Sequence, residues 1–468
     1  MPEIRPFRAI RYELDAVGDL ALVTSPPYDV VGPDEQRALL ARHPKNVIRL
    51  DLPAAELGDE PDDRYRRAAR TFAAWRSDGT FRKDPKPSVY VYEQSYRVPG
   101  TTVERTQRGF FGRLRIEPLG AGGVLPHERT LAAPKEDRYK LLRATGANMS
   151  PVIGLFEDRS GRARDLFAEI AGGSDGPPVA EVTDAEGVQH RMWIVTPQSA
   201  ANEPAGGESS GGAAPDRQPV SRASELMALA SAGPITIADG HHRYETALRY
   251  RDERRMSRSC EEDPPFDYLL MLFLESTAEP PTVLPTHRLV RGIGSEAAAE
   301  LLRDAEGLFD VRGVTDRSEL EAAFGAEARA TDPASGGRGR FGLWTRSGGA
   351  VLSARREAFQ PYLPAGGDAL RALDVTLLQV ALERLTGIDA AATAAGRIVY
   401  TKSVAEALDA VDAPAADGPE RVDAAFLLEA TPVGSIVAVA RDGDVMPQKS
   451  TYFFPKPLSG LLINPHEW

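Results

Sequence analysis

The chain has 468 residues, 42% hydrophobic and 26% charged, and its 56 basic against 68 acidic side chains give a formal charge of −12. That is the composition of a folded globular protein, and its acidic balance excludes a broad nucleic-acid footprint, which draws on many Lys and Arg contacts to phosphate. No apolar run approaches the ~20 residues that span a bilayer, the N-terminus lacks the layout of a secretion signal, and the single cysteine, Cys260, excludes an intramolecular disulfide and a cysteine-based zinc site.

The expectation is therefore a cytoplasmic protein without a membrane partner, of two or three domains or one large composite. In chain order, a strand-like start at "ALVTS" leads to the rigid Pro26-Pro27 turn. A helix opened by Gly32-Pro33-Asp34 follows, then an apolar strand at Val47–Leu50. Tyr65, Ala68, Phe72 and Trp75 recur at helical spacing and stop at Gly79, which predicts an amphipathic helix. Two β-type runs, "SVYVYEQSYRV" and "RTQRGFFGRLRIEPL", flank Pro99-Gly100 and predict a hairpin. The stretch 198–219 is almost wholly small or polar and cannot bury enough apolar surface to order itself. Similar loops fall near 326–340 and 412–420. The C-terminal part alternates strands ("RFGLWTR", "AAFLLEA", "SIVAVARDG") with helices ("LDVTLLQVALERLTG", "SVAEALDAVD"). The whole reads as α+β, with mixed sheets and packed helices. It divides into an α/β region at 1–157, a partly β segment at 158–232, a core at 233–295 and a second α/β region at 296–468.

Several literal motifs fail on context. Gly337, Gly339 and Gly342 spell G-x-G-x-x-G, but a loop precedes them and a strand follows, whereas a dinucleotide fingerprint follows a strand and opens a helix. No Walker-type phosphate loop occurs, and His127 has no second histidine four residues on to make a zinc protease site.

"ITIADGHHRYETALRY" at 235–250 is different. Pro234–Ala238 reads as a buried strand, Asp239 as a helix N-cap and Gly240 as a tight turn. Tyr244, Ala247 and Leu248 form the apolar face of the helix that follows. Unpaired N–H groups and the positive end of the helix dipole then lie at Gly240, His241 and His242, a natural seat for an anion. Arg243 adds a forked donor suited to phosphate.

The D-G-H-H-R string resembles the phosphate-binding box of the ParB/sulfiredoxin-type nucleotide-binding fold, and its histidine-rich form is most similar to the free-serine kinases. The blocks "SPPYDV", "HPKNVIRLDLP", "LPHERTLAAPKEDRYKLLRATGANMSPVIGLFED", "ADGHHRYETAL", "LPTHRLV" and "PQKSTYFFPKPLSGLL" resemble domain-of-unknown-function family 1015, in family order from about residue 6 to 463. The resemblance implies a ParB/sulfiredoxin-like nucleotide-binding core within a larger composite. It also implies a kinase that moves phosphate from ATP or ADP to the hydroxyl of free L-serine or a similar metabolite.

Such an enzyme must hold a polyphosphate, accept a proton from an alcohol, and recognise an ammonium and a carboxylate together. Gly240, His241, His242 and Arg243, with Lys135, are the candidate nucleotide contacts. Glu128 is the candidate base with His127 in reserve and Asp239 beside them, because a carboxylate in hydrogen-bond reach can take the hydroxyl proton. Mg2+ needs one or two carboxylates besides phosphate oxygens, for which Asp239 and Asp29 are candidates. Tyr28 and Asp29 read equally as a helix-entry turn or a substrate position. His287 and Arg288 read as core-edge packing or, with Lys449, as the carboxylate-binding group. Two other readings stay open: a nucleotide-gated binding module of ParB type, and a phosphatase or phosphotransferase with a histidine nucleophile.

Overall fold

The computed structural model describes residues 1–121, 123–128, 132–197, 220–257, 262–325, 339–414 and 418–466. The insert expected at 198–219, Cys260, residues 326–338 of the second loop and 415–417 of the third lie outside these residues.

Among the described residues the largest sheet has nine strands. They are β1 (Ile4–Arg5), β2 (Val89–Arg97), β3 (Glu104–Arg115), β4 (Val124–Leu125), β5 (Val152–Phe156), β6 (Ala180–Thr183), β7 (Gln189–Val195), β8 (Ile235–Asp239) and β9 (Tyr268–Glu275). Their spatial order is β4-β8-β5-β9-β3-β2-β7-β6, with β1 paired to β3. The β8–β4 and β9–β5 pairs are parallel and the remaining pairs antiparallel. Every residue of "YLLMLFLE" in β9 is buried, as expected of a central strand covered on both faces. The period of two along β2 sends Val89 and Val91 into one core and Tyr90 and Tyr92 into the other. The first core lies under the helices Arg162–Glu169, Arg222–Ser231 and His241–Ser257; the second is shared with the N- and C-terminal segments.

A second sheet of six antiparallel strands follows: β10 (His287–Arg291), β11 (Phe309–Val314), β12 (Arg340–Thr345), β13 (Gly348–Ala354), β14 (Ile398–Thr401) and β15 (Val422–Leu428), in the order β11-β13-β12-β15-β10-β14. Near its end the chain forms two further two-stranded sheets with earlier segments. Tyr452–Phe454 pairs with Thr282–Leu284, and Asn464–Pro465 pairs with Ala147–Asn148.

The fold is mixed α+β, with several sheets and packed helices. The expected hairpin is β2–β3, with Tyr90 opposite Phe111. The expected amphipathic helix is Asp63–Ser77 (α1), which buries Tyr65, Ala68, Phe72 and Trp75. Three expected strands are instead helical: Leu20–Val23, which takes in the start of "ALVTS", Ile48–Asp51 and Val433–Arg441. The last, which contains most of "SIVAVARDG", buries Val433, Ile436, Val437, Val439 and Ala440. A short apolar run carries no period that separates helix from strand, so packing decided. Of the four expected regions, the segments 1–157, 158–232 and 233–295 all contribute strands to the nine-stranded sheet.

Candidate functional site

Strand β8 ends at Asp239, the chain reverses at Gly240, and helix α3 (His241–Ser257) begins; helix α2 (Ala132–Thr145) lies beside it. Gly240 has φ of 88°, and a Cβ there would sit 2.9 Å from Arg243 Nε. Only glycine fits both demands. His241, Tyr244 and Ala247 supply the buried face of α3, and the first N–H groups of the helix have no carbonyl partner within it.

Asp239 does not act as the expected N-cap. One carboxylate oxygen lies 2.5 Å from Arg243 Nη2, and the other lies 2.9 Å from Lys456 Nζ. Burial would raise its pKa, but the two cations win and hold it well below the ordinary carboxylate range. Arg243 is also turned inward. It donates to the carbonyl of Pro151, passes 3.7 Å from Asp29, and its Nε is buried without a hydrogen-bond partner among the described residues. Expected as a fork around phosphate, it is here engaged with the turn itself, its donors on Asp239 and Pro151 and its side chain 9% exposed. Tyr28 lies against it and carries the Arg138 guanidinium 3.9 Å from its ring centroid. Asp51 completes this side. It is 1% exposed and accepts a hydrogen bond from Ser459 Oγ at 2.8 Å, and Arg138 stands 3.6 Å away. Burial raises its pKa against the pull of Arg138.

On the other side stand His127 and Glu128. His127 Nδ1 lies 2.5 Å from the Ile237 carbonyl, which can only accept, so this nitrogen carries the proton. Its Nε2, 3.2 Å from Thr451 Oγ1, is then the acceptor. The His127 backbone N–H donates to His241 Nε2 at 3.2 Å, which fixes a neutral tautomer there as well. Burial holds His127 down at about 4 and pushes His241 well below its usual range. Glu128 is half-buried and accepts from the Lys449 backbone N–H at 3.2 Å. Burial raises its pKa; the bond from Lys449 and the charges of Lys449 and Lys456 oppose that rise.

The other expected contacts divide. Lys135 forms an ion pair with Glu245 of α3 at 2.8 Å and acts on His242 at the turn as well. His242 is half-buried, within electrostatic reach of Glu245, Lys135, Lys449 and Asp29. His287 is 0% exposed and accepts from the Leu428 N–H at 3.3 Å. A side chain so enclosed cannot meet a substrate, and core packing is its role. Arg288 is 4% exposed, donates to the Thr286 hydroxyl at 2.7 Å and to the Lys449 carbonyl at 3.2 Å, and burial pushes it down to about 10. It props the Lys449 turn. Lys449 itself is exposed and holds φ of 56°, a left-handed conformation uncommon for a residue other than glycine.

Of the two carboxylates expected to hold magnesium beside phosphate oxygens, one remains open to it. Both oxygens of Asp239 are taken by cations, which leaves Asp29 alone. No group of three or more metal-ligating side chains occurs among the described residues. Lys456, Arg138 and Asp51 were not singled out from sequence. Lys456 lies 217 positions from Asp239, and no local pattern links them.

A family model described as a protein of unknown function, DUF1015, matches residues 4–376. The chain belongs to this family. The DUF1015 match stops before Lys449, Thr451 and Lys456. No curated protein matches the chain. Among solved structures, a free serine kinase in complex with AMP is 13% identical, with 77% of this chain and 93% of that chain covered at a TM-score of 0.33. A conserved hypothetical protein from Pyrococcus furiosus is 12% identical, with 71% and 89% covered at 0.31. SbnI from Staphylococcus aureus, with a C-terminal truncation, is 8% identical, with 73% and 83% covered at 0.32. Superpositions this loose carry no argument about mechanism. Among the described residues of this DUF1015 chain, no helix is long and apolar enough to cross a membrane.

Proposed function

We propose that this protein is a small-molecule phosphotransferase. It binds ATP or ADP at the Gly240–Arg243 turn and passes a phosphoryl group to the hydroxyl of free L-serine or a similar hydroxylated metabolite. The ParB/sulfiredoxin-like core of this reading is the β8–α3 unit with the sheet around it. The observation that carries the proposal is the pairing of two features at one place. A glycine-dependent strand-to-helix turn presents the first N–H groups of a helix, the part of a helix that suits an anion. In electrostatic reach of Asp239, at the start of that turn, stands a carboxylate, Glu128, whose pKa is raised by burial.

Phosphoryl transfer asks mainly for positioning and for neutralisation of oxygen charge. The N-terminal N–H groups of α3 and the exposed edge of His242 meet the phosphates, while Arg243 keeps the turn in shape through Asp239. Glu128 accepts the hydroxyl proton as the oxygen–phosphorus bond forms and the bond to the nucleotide breaks, leaving ADP from ATP or AMP from ADP. A raised pKa brings this base closer to neutrality, where general bases work best. Lys449 meets the substrate carboxylate, on a turn braced by Arg288.

The test is a panel of hydroxylated metabolites, L-serine among them, incubated with each nucleotide and read for the added mass of a phosphoryl group. Glu128→Gln should keep nucleotide affinity and lose about 10²–10⁴-fold in turnover. Transfer at the wild-type rate by Glu128→Gln removes Glu128 from the mechanism. Nucleotide uptake with no product from any acceptor favours the binding-module reading, and phosphate retained on the protein favours a histidine nucleophile.

A further inference from the structure

We infer that the segment 446–459 is a working part of the site, and that Lys456 is a ligand for the outer phosphates of the bound nucleotide. This rests on the nucleotide reading above and adds to it a residue that lies beyond the span matched by the family model.

One short segment touches all three candidate catalytic groups. The Met446 N–H donates to the His127 carbonyl at 2.7 Å, the Lys449 N–H to Glu128 at 3.2 Å, Thr451 Oγ1 lies 3.2 Å from His127 Nε2, and Lys456 reaches Asp239 at 2.9 Å. It is pinned from the sheet as well. Gln94 donates to the Lys456 carbonyl at 3.1 Å, and Ser459 donates to Asp51 at 2.8 Å. Strand β2 thus holds the backbone at Lys456 and the buried carboxylate holds Ser459 three residues on, with the ammonium at the turn.

Asp239 supplies one negative charge to two cations, Arg243 and Lys456, whose side chains are each 9% exposed. Asp29 stands 3.7 Å from Arg243 and so answers that cation, not Lys456. A further ammonium, Lys402, lies 4.1 Å from the centroid of the Tyr452 ring, against 4.8 Å for Lys456. Glu128 acts on Lys456 and Glu186 on Lys402, so these ammoniums have carboxylates within reach, and what Lys456 offers a phosphate is its donors. The two cations of the pair also differ in kind. Arg243 is committed to Asp239 and Pro151, whereas an ammonium has three rotatable donors and uses one on Asp239. Lys456 therefore has donors left for phosphate oxygens without leaving its carboxylate. Its charge acts on Glu128, which puts it on the side where the phosphoryl group is transferred, hence with the outer phosphates.

The experiment compares AMP, ADP and ATP binding by calorimetry to the full-length wild type, Lys456→Met and Lys456→Arg. Lys456→Met should bind AMP within about twofold of wild type and lose about 10–100-fold for ADP and ATP, the range of one charge-assisted hydrogen bond. Lys456→Arg should recover most of that loss. A lysine that only props the fold would weaken all three nucleotides alike, or none, and either pattern overturns the inference while leaving the nucleotide reading intact. A wild type that takes up none of the three overturns both. Lys456→Gln, which retains a donor for Asp239, replaces the Met variant in the same comparison if that variant does not fold.

Discussion

Replacing Asp239 by Asn preserves the shape of the side chain and removes the one charge that two buried cations share. Arg243 approaches this carboxylate at 2.5 Å and Lys456 at 2.9 Å. At an effective dielectric of ~20, a contact of that length is worth about 6 kcal/mol of Coulomb energy, most of it offset by desolvation. What decides the outcome is what stays behind. Two cations with side chains only 9% exposed would keep Asp29, 3.7 Å from Arg243, with Asp51 acting on Arg243 and Glu128 on Lys456 outside ion-pair contact. Removing one partner from a buried pair costs about 3–5 kcal/mol, and with two cations orphaned we expect the upper half of that range. This is a large share of the ~5–15 kcal/mol that holds a domain folded. The assay is urea unfolding of wild type, Asp239→Asn, Lys456→Met and the double variant. Removing Lys456 together with Asp239 takes away one of the stranded charges, so the double variant should lose less than the sum of the singles by about 1–3 kcal/mol. A loss below about 1 kcal/mol for Asp239→Asn, or a double variant that is simply additive, would mean that water already serves these cations, and the charge-sharing argument would be wrong.

Two further predictions concern acid and the turn. Burial holds His127 down at about 4 and His466 at about 3, against an ordinary 6.5, so between these values the unfolded chain binds protons that the folded chain does not. Stability is then full above pH 6.5 and falls as pH drops toward 4, with a limiting slope of about 1.4 kcal/mol per pH unit for each such histidine. Asp239, held below its ordinary 3.8, adds loss only below that pH. Unfolding midpoints between about pH 5 and 7.5 should show a shallower slope for His127→Asn; an unchanged slope would refute the burial of a neutral imidazole. Gly240→Ala must place a Cβ at φ of 88° and 2.9 Å from Arg243 Nε. The backbone alone costs about 1–2 kcal/mol, so thermal unfolding should shift downward and nucleotide binding should weaken with it. Wild-type stability in this variant would show that the turn needs no glycine.

The local parts of this site were legible in the sequence, and the reasons are physical. A positive φ can be read from a glycine between a strand pattern and a helix pattern, and the burial of Tyr244 and Ala247 follows from the helical period, whereas Leu248, expected on the same face, is half-buried and His241, expected at the phosphates, is buried. The same letters mislead where the deciding partner is remote. Asp239 beside Gly240 looks like an N-cap until Lys456 and Arg243 claim both of its oxygens. Arg243 looks like a phosphate fork until the Pro151 carbonyl takes a donor. His287 looks available until β10 and β15 close over it, leaving it 0% exposed. Short apolar runs such as "SIVAVARDG" fail for a related reason, since their state is settled by the surface they pack on. Conformational demands act over a few residues and leave a local trace, whereas charge balance is a property of the assembled interior. Here the segments around Asp29, Glu128, Asp239 and Lys456 meet, and the sum of their charges exists only after folding. That is why the turn was visible and the lysine that completes it was not.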